Sequence, residues 1–273
     1  MSEDEEKDEL EQLLEQTERP VEGPNVADPR SVVETNIPKD LVERYEIHSY
    51  KGAAAILRQV HGELFDDIVE CLRSFSITTT MIRTAGGNES EVPKVISKLL
   101  RPKSWYETMI KGDLVVTKAW REQVRLTKGG NPKMETRTDT LTRSRYLDGH
   151  KIDYVKGRVA FDLEWNSKDQ TFDRDLYAFA AFAQCGVIDV AVLVTRSESL
   201  NDVFRALGPS LKKDGTVEIK KNGKERQTME KYGASTTWMG KLTYRLNAGR
   251  NGGCPVLVIG ITPKCISDWK PHA

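Results

Sequence analysis

Three consecutive apolar segments in the second half of the chain predict a strand, a helix and a second strand. Residues 158–165 alternate like a strand, residues 172–184 form a compact helix rich in Ala and aromatic residues, and Gly186 ends that helix. Residues 187–195 are almost continuously apolar, which is typical of a strand covered on both faces. Such a unit joins two parallel strands through a right-handed crossover. We therefore expect an α/β sheet.

The other periodic segments extend this unit to a single α/β domain. Helical spacing predicts one or two amphipathic helices between residues 52 and 74, and a further helix over 92–100 that Pro102 ends. Residues 114–128 fit either a strand or a helix. The predicted C-terminal elements are a hairpin at Asn222-Gly223, a helix over 239–246 and a buried strand over 255–261. The expected fold is a mixed central sheet flanked by helices, over residues 45–273.

The first 44 residues differ in composition and are expected to form an N-terminal arm. Residues 1–20 contain nine acidic and two basic side chains, a net charge of −7. Since the whole chain has a formal net charge of zero, residues 21–273 carry +7, which favours a polyanionic partner. Pro, Asn and Asp punctuate residues 20–38 without a sustained apolar face, so we expect much of residues 1–44 to be mobile.

Cysteine spacing and hydropathy favour an intracellular, soluble protein. The four cysteines are widely separated and form no Cys-x-x-Cys pair, which indicates free thiols in a reducing compartment. No signal peptide and no run of 18 apolar residues is recognised. We expect a cytoplasmic protein without a membrane partner.

Three carboxylates are concentrated in and before the first predicted strand. Side chains alternate along a strand, so Asp162 and Glu164 share the face opposite the apolar side chains. A two-residue turn at Lys156-Gly157 would place Asp153 opposite Ala160, as a diagonal neighbour of Asp162. The pattern therefore predicts a cluster of three acids on one face of a hairpin.

A bound cation would offset the mutual repulsion of the carboxylates in such a cluster. Two carboxylates about 5 Å apart repel by roughly 3 kcal/mol at an effective dielectric constant of about 20. Oxygen donors without a neighbouring His or Cys favour Mg²⁺ or Mn²⁺ over Zn²⁺. The alternative is a solvated strand face whose acids pair with Lys151, Lys156 or Lys168. The spacing alone leaves both interpretations open.

Basic side chains are concentrated immediately before the acids. Residues 118–151 hold nine Lys and Arg against four acidic residues, and residues 212–231 hold seven against four. The second stretch fits an ordinary solvated surface equally well. The first stretch leads directly into the carboxylate hairpin, which is the arrangement expected where a polyanion meets a metal site.

The segment Asp153-Tyr-Val-Lys-Gly-Arg-Val-Ala-Phe-Asp162-Leu-Glu164-Trp resembles the metal-binding motif of restriction-endonuclease-like nucleases. Most members end this motif with Lys, whereas Glu164 stands here, as in the branch that contains BamHI, BglII and BstYI. The spacing of the three acids is most similar to the BglII and BstYI type II restriction enzymes. Two departures are Asp162 where these relatives have Glu and Glu164 where BglII-type enzymes have Gln. Both keep a metal-ligand oxygen.

Further likeness to these enzymes covers about 200 residues. The segments Ile188-Asp-Val-Ala-Val and Pro255-Val-Leu-Val-Ile-Gly-Ile-Thr-Pro263 resemble the family's strand after the motif helix and its closing strand. The opening Tyr45-Glu-Ile-His shows a weaker likeness. The resemblance implies a restriction-endonuclease-like fold with an N-terminal extension.

The resemblance also implies a reaction. A type II site-specific deoxyribonuclease of a bacterial or archaeal restriction system would cut double-stranded DNA at a short palindrome as a homodimer, leaving 5′-phosphate ends. The relatives cut palindromes built around GATC, but this chain's readout residues differ from theirs. Asp153 and Asp162 would bind Mg²⁺, for which Mn²⁺ would substitute, and Glu164 would complete the metal shell or position the attacking water.

Base contacts are implied at two segments that follow the motif. The resembling enzymes reach base edges in the major groove with residues that correspond here to Asn166, Ser167, Lys168, Ser235, Thr236 and Thr237. For each segment the alternative is a polar loop or a helix cap.

Three other functions are compatible with the same residues. A structure-specific repair nuclease of the same superfamily would use the same carboxylates. A DNA-binding relative without catalysis would account for the departures at Asp162 and Glu164. The acidic arm could also imitate DNA and shield a basic cleft.

Overall fold

The computed structural model of the chain describes residues 25–84, 90–233 and 235–270. It divides the chain into two compact units, Met1–Thr108 with Ile152–Ala273, and Met109–Lys151. The separate unit Met109–Lys151 is a feature that the sequence pattern did not predict.

The helices and strands bear out most of the predicted elements. In chain order they are α1 (Arg30–Asn36), α2 (Lys39–Arg44), β1 (Tyr45–Tyr50), α3 (Ala53–Val60), α4 (Gly62–Ser74), α5 (Thr79–Arg83), α6 (Glu91–Leu100), β2 (Tyr106–Leu126), β3 (Pro132–Lys156), β4 (Val159–Glu164), α7 (Thr171–Gln184), β5 (Val190–Arg196), α8 (Leu200–Ala206), α9 (Met239–Asn247) and β6 (Val256–Ile261). Short 3₁₀ helices lie at Arg101–Lys103, Thr228–Tyr232 and Pro263–Cys265.

The six strands within the described residues form one mixed sheet in the order β1-β6-β5-β4-β3-β2. Strands β4, β5 and β6 are mutually parallel, whereas β1 and β3 run antiparallel to their neighbours. The predicted strand–helix–strand unit is therefore confirmed as β4–α7–β5, with parallel strands. The expected mixed sheet flanked by helices is confirmed as well.

The three parallel strands are buried along their whole length. The side chains of β5 and β6 are mostly apolar on both faces, whereas one face of β4 carries Asp162 and Glu164. Val159, Phe161 and Leu163 of β4 belong to the main core, together with apolar residues of β5, β6 and helices α3 and α4. Each such side chain contributes about 1.5–3 kcal/mol when it leaves water. Helix α7 packs against β4, so it approaches the strand that carries two of the three acids.

Helices α1 and α2 lie within the segment assigned to the N-terminal arm. Their Val33 and Leu41, and Ile37 between them, are buried in the main core. Part of that segment thus contributes to the core, through one apolar residue of each helix and Ile37 between them. Residues 1–24, where the acidic charge lies, are outside the described residues. The division of the chain at residue 44 stays a prediction.

The hairpin between β3 and β4 differs in register from the predicted one. Its turn is Gly157-Arg158 instead of Lys156-Gly157, and Lys156 pairs with Val159 while Tyr154 pairs with Phe161. Gly157 has a φ of 55° at the first central position of the turn, as a type II′ turn requires. The sequence prediction placed Gly157 at the second central position, so its cross-strand partners were wrong.

The smaller unit, Met109–Lys151, consists of most of β2 and β3. The segment 114–128, which fitted either a helix or a strand, is strand up to Leu126. A tight turn joins the two strands, with Thr127 N–H donating to Asn131 O at 2.8 Å and Gly130 at a φ of 79°. The predicted hairpin at Asn222-Gly223 is present in the larger unit as a β-bridge between Ile219 and Glu225.

Candidate active site

Strands β3 and β4 carry the three predicted metal ligands. Asp162 and Glu164 lie on the face of β4 opposite Phe161 and are only 4% and 7% exposed, respectively. Asp153 of β3 is exposed. The register that pairs Tyr154 with Phe161, continued by one residue, places Asp153 directly opposite Asp162. The two aspartates are therefore closer than the predicted diagonal arrangement, and on the same face.

The burial of the acids decides whether this strand face is a metal site or an ordinary solvated surface. Asp162 and Glu164 are not solvated, and Lys156, one of the lysines expected to neutralise them, donates instead to Asp67 Oδ2 at 2.7 Å. The same Asp67 carboxylate also accepts from Trp105 Nε1 and Lys103 Nζ. The interpretation as an ordinary solvated face does not fit this arrangement.

Helix α7 contributes a fourth carboxylate that the sequence analysis missed. Asp175 is 2% exposed, and its Oδ1 accepts from Arg174 Nη2 at 3.0 Å. Arg174 Nη2 also lies 3.5 Å from Glu164 Oε1, so one exposed guanidinium serves two buried acids. The signal was present in the sequence, because Asp175 occupies the apolar stripe between Phe172 and Phe179 at helical spacing.

Burial and mutual repulsion hold these carboxyl groups far from their ordinary titration range. Burial raises the pKa of Asp162, and repulsion from Asp175, Asp153 and Glu164 raises it further. Burial likewise raises the pKa of Glu164, against hydrogen bonds from Ser167 and Asp175 and the charge of Arg174. Burial and the neighbouring Glu164 raise the pKa of Asp175 to about 8.

Asp175 and Glu164 form an interacting pair of buried carboxyl groups. Because both pKa values are raised, the pair retains a proton to a higher pH than isolated carboxyl groups do. Asp175 Oδ2 is buried without a hydrogen-bond partner among the described residues. Clustered carboxyl groups with raised pKa values mark functional sites more often than structural ones.

The donor set suits a hard divalent cation, although the side chains do not converge on one point. Across residues 25–84, 90–233 and 235–270, no group of three or more His, Cys, Asp or Glu side chains is arranged to hold a metal ion. Asp162 Oδ1 accepts from Leu163 N–H at 2.8 Å, and Glu164 faces Arg174. The available donors are all oxygens, and their repulsion would be relieved by a dication. The chemistry of the residues therefore fits Mg²⁺.

The two predicted DNA-contacting segments, almost 70 residues apart in the chain, lie side by side. Lys168 and Thr236 form an antiparallel β-bridge. Thr237 N–H donates to Ser167 O at 2.9 Å, and Asp169 N–H donates to Ser235 O at 3.0 Å. Because Ser167 also bonds to Glu164, this paired segment begins at the carboxylate cluster.

The six predicted contact residues differ in accessibility. Lys168 and Ser235 are exposed, and Asn166, Ser167 and Thr236 are half-buried. Thr237 is completely buried, so its prediction as a DNA contact does not fit this structure, in which the backbone pairing with Ser167 turns the side chain inward.

A buried arginine at the end of β5 holds the second segment in place. Arg196 Nε donates to Thr237 O at 2.7 Å, and its Nη2 donates to Tyr232 O at 3.3 Å and to Thr236 Oγ1. Its guanidinium also lies over the rings of Phe204 and Tyr232. Burial lowers the pKa of Arg196 to about 10, which keeps it charged at neutral pH. The sequence analysis missed this residue, because no local pattern marks it.

The mixed sheet with flanking helices and a carboxylate pair on a central strand is the α/β fold of restriction-endonuclease-like proteins. The family model for restriction endonuclease BglII/BglIII matches residues 45–261 of the 273-residue chain, and the chain belongs to this family. The resemblance drawn from the motif is thereby confirmed, together with the assignment to DNA-cleaving restriction endonucleases. No curated protein matches the chain. None of the helices in the described part of the chain could cross a membrane.

Proposed function

We propose that the chain is a Mg²⁺-dependent type II restriction endonuclease that cuts double-stranded DNA at a short palindrome as a homodimer. The observation that carries the proposal is the cluster of Asp153, Asp162 and Glu164 on adjacent strands, two of them buried. The enzyme would belong to a bacterial or archaeal restriction system, with residues 45–273 as the nuclease domain and residues 1–44 as an N-terminal arm. A GATC-containing palindrome is the first site to test.

The three carboxylates have different proposed roles in catalysis. Asp153 and Asp162 would hold Mg²⁺, or Mn²⁺ in its place, and Glu164 would complete the shell or accept a proton from the attacking water. Bound Mg²⁺ would lower the pKa of that water and offset the charge of the scissile phosphate and of the leaving oxygen. Water attacks phosphorus, the 3′ oxygen leaves, and the phosphate stays on the 5′ end.

Two further side chains prepare the site. Asp175, whose side chain interacts with Glu164, would fix the orientation of that carboxylate. Arg174 supplies the positive charge that most relatives obtain from the Lys of their motif, and it is exposed enough to reach a phosphate. Base contacts are assigned to Asn166, Ser167, Lys168, Ser235 and Thr236, which join the cluster to the paired segment.

A digest of genomic DNA, followed by sequencing of the ends, tests the proposal. We expect cutting at discrete palindromic sites with Mg²⁺, 5′-phosphate ends, and a loss of activity greater than about 100-fold in Asp153→Asn and Asp162→Asn. Asp66→Asn, which removes an exposed acid of α4 that lies 3.7 Å from Arg58 at the surface, is the matched control and should cut normally.

Three results would overturn the proposal in different ways. Cutting only at branched junctions would identify a repair nuclease. Specific DNA binding without cutting in Mg²⁺ or Mn²⁺ would identify an inactive DNA-binding relative. Unchanged cleavage by both aspartate variants would place the catalytic site elsewhere.

A further inference from the structure

Strands β2 and β3 form a two-stranded ribbon with two chemically different faces. The hydroxyl oxygens of Thr117 and Thr140 lie 3.0 Å apart across the ribbon, so these two side chains share a face. Lys118 Nζ lies 2.6 Å from Asp139 Oδ2. Because successive side chains of a strand point to opposite faces, this second pair lies on the other face. The two neighbouring pairs therefore show which side chains lie together.

The face that contains Thr117 and Thr140 consists of short side chains, most of them hydroxyl groups, and one arginine. We call it the threonine face and define it by Thr117, Ala119, Arg121, Thr136, Thr138, Thr140 and Thr142. All seven side chains are exposed. None of them is acidic, so the face is a shallow row of hydroxyl groups beside a cation.

The opposite face holds the ion pairs of the ribbon. They are Lys118–Asp139, Arg137–Glu122 at 3.1 Å and Lys133–Glu135 at 3.5 Å. The unit Met109–Lys151 contains ten basic and five acidic side chains, a net charge of +5. Because three of the five acids belong to these pairs, positive charge is in excess on the rest of the ribbon.

Three cations in the outer part of the ribbon have no carboxylate partner among the described residues. They are Arg121 of the threonine face, Arg125 further along β2 and Lys128 in the turn, and all three are exposed. An ordinary solvated surface mixes both signs of charge. The strand preference of threonine accounts for its abundance here, but it does not account for the exclusion of acids. The excess positive charge therefore favours a polyanionic partner.

We propose that the threonine face, together with Arg125 and Lys128, binds the sugar–phosphate backbone of double-stranded DNA. Arginine, lysine and threonine side chains are among the donors that proteins direct at phosphate oxygens, and such contacts carry no sequence information. The cations add affinity by releasing the counterions condensed on DNA. Strands of 21 and 25 residues are unusually long, and a two-stranded ribbon is marginally stable in water. Bound DNA would stabilise it.

The proposed surface rests on double-stranded DNA as the substrate of the proposed function, and adds a place where its backbone is held. Binding can be measured in chelator, without cutting, so the two ideas fail separately. A chain that binds DNA through the ribbon but never cuts it would refute only the nuclease. A chain that cuts DNA and binds it independently of the ribbon would refute only the surface.

Fluorescence anisotropy of the full chain on a duplex of scrambled sequence, in chelator and over a range of salt concentrations, is the first test. The variant combines Arg121→Gln, Arg125→Gln and Lys128→Gln. We expect its dissociation constant to rise by at least about 30-fold at about 0.1 M salt. The dependence of log K on log salt concentration should become shallower by about 2–3, because three phosphate contacts are lost.

The matched control removes the same amount of charge from the larger unit. It combines Arg30→Gln, Lys39→Gln and Arg205→Gln, at exposed cations of α1, α2 and α8 that lie in ion pairs. Its affinity should stay within about 3-fold of the parent, because salt screens exposed charges beyond about 10 Å. Circular dichroism melting of both variants shows that a loss of binding is not unfolding.

Photocrosslinking identifies the face that meets DNA without removing any charge. In a Cys185→Ser background, which removes the exposed cysteine among the four free ones, Thr140→Cys and Leu141→Cys place a thiol on opposite faces of the ribbon. Both positions are exposed. After attachment of a photoreactive aryl azide, position 140 should crosslink to a labelled duplex, and position 141 should not.

Four results would overturn the proposal. A wild-type chain that does not bind the scrambled duplex at low salt would do so, as would a triple variant of the ribbon with unchanged affinity and salt dependence. Crosslinking from position 141 that equals or exceeds that from position 140 would assign DNA to the other face. A loss of affinity confined to the cognate duplex would assign the ribbon to base reading instead of backbone contact.

Discussion

Arg196 Nε donates a hydrogen bond to the main-chain carbonyl oxygen of Thr237 over 2.7 Å, in a site where Arg196 is 2% exposed. This bond joins the end of β5 to the segment that pairs with Ser167 and Lys168. The predicted base-contacting segments are thus attached to the rigid sheet that also carries the carboxylates. Their position relative to the cleavage site follows from this attachment.

Arg196→Met should destabilise the protein and reduce its specificity for the cognate DNA site. The substitution leaves the carbonyl oxygens of Tyr232 and Thr237 buried without these donors, at about 1–3 kcal/mol each. We expect the free energy of unfolding in urea to fall by about 2–4 kcal/mol, and cutting at near-cognate sites to increase relative to the cognate site. Arg205→Met, which removes an exposed arginine paired with Asp202 on α8, should change stability by less than about 1 kcal/mol. Equal effects of the two variants would contradict the role of Arg196.

The metal-free protein should lose stability as the pH rises. The pKa of Asp175 is raised from its ordinary 3.8 to about 8, and that of Asp162 is also raised. The unfolded chain therefore releases these protons at a lower pH than the folded chain does. Their contribution to stability is complete below about pH 4 and is lost as the pH rises to about 8.

Thermal melting between pH 5 and 9, in chelator and in Mg²⁺, measures this dependence. Asp175→Asn should flatten the decline in melting temperature, whereas the surface variant Asp66→Asn should keep it. Mg²⁺ should raise the melting temperature more at pH 8 than at pH 5, because the metal competes with protons for the carboxylates. A metal-free protein that gains stability over this range would contradict the assignment.

Gly157→Ala should destabilise the hairpin that positions Asp153 opposite Asp162. Gly157 has a φ of 55°, and an added Cβ would lie 3.1 Å from Leu64 Cδ1, so both the backbone and the contact are strained. We expect a loss of about 1–2 kcal/mol in urea unfolding. Gly129→Ala, at a position with open space and no positive φ, should stay within about 0.5 kcal/mol of the parent. Similar losses in both would show that the turn tolerates a side chain.

Lys168→Ala should weaken binding to the cognate duplex by about 10-fold or more, because a good base contact is worth about 1–3 kcal/mol of discrimination. Fluorescence anisotropy in the Asp162→Asn background measures binding without cleavage, on the cognate site found by the digest and on a scrambled duplex. Lys39→Ala, at an exposed lysine of α2, is the control. An equal loss on both duplexes, with a shallower salt dependence, would assign Lys168 to the phosphate backbone instead.

Local periodicity was sufficient for the elements of the sheet. The alternation in β4, the apolar run of β5 and the helical spacing of α7 identified all three, because burial on one face or on two leaves a direct mark on the sequence. The predicted position of the turn was wrong by one residue, because Gly157 can adopt a positive φ at either central position of a two-residue turn. Residues 114–128 failed to indicate one structure because an exposed ribbon has only a weak apolar alternation.

The sequence by itself determined the family, the parallel strand–helix–strand core and the position of Asp162 and Glu164 on one face of β4, because residue alternation and motif spacing are local properties. Tertiary structure alone decided that these two acids are buried, that Asp175 and Arg174 join them, that Ser167 and Lys168 pair with 235–237, and that Arg196 secures the pairing. These contacts depend on how α7 packs on the sheet and on which distant segments meet beyond the end of β5. Side chains far apart in the chain become partners only when the core has fixed the positions of their backbones.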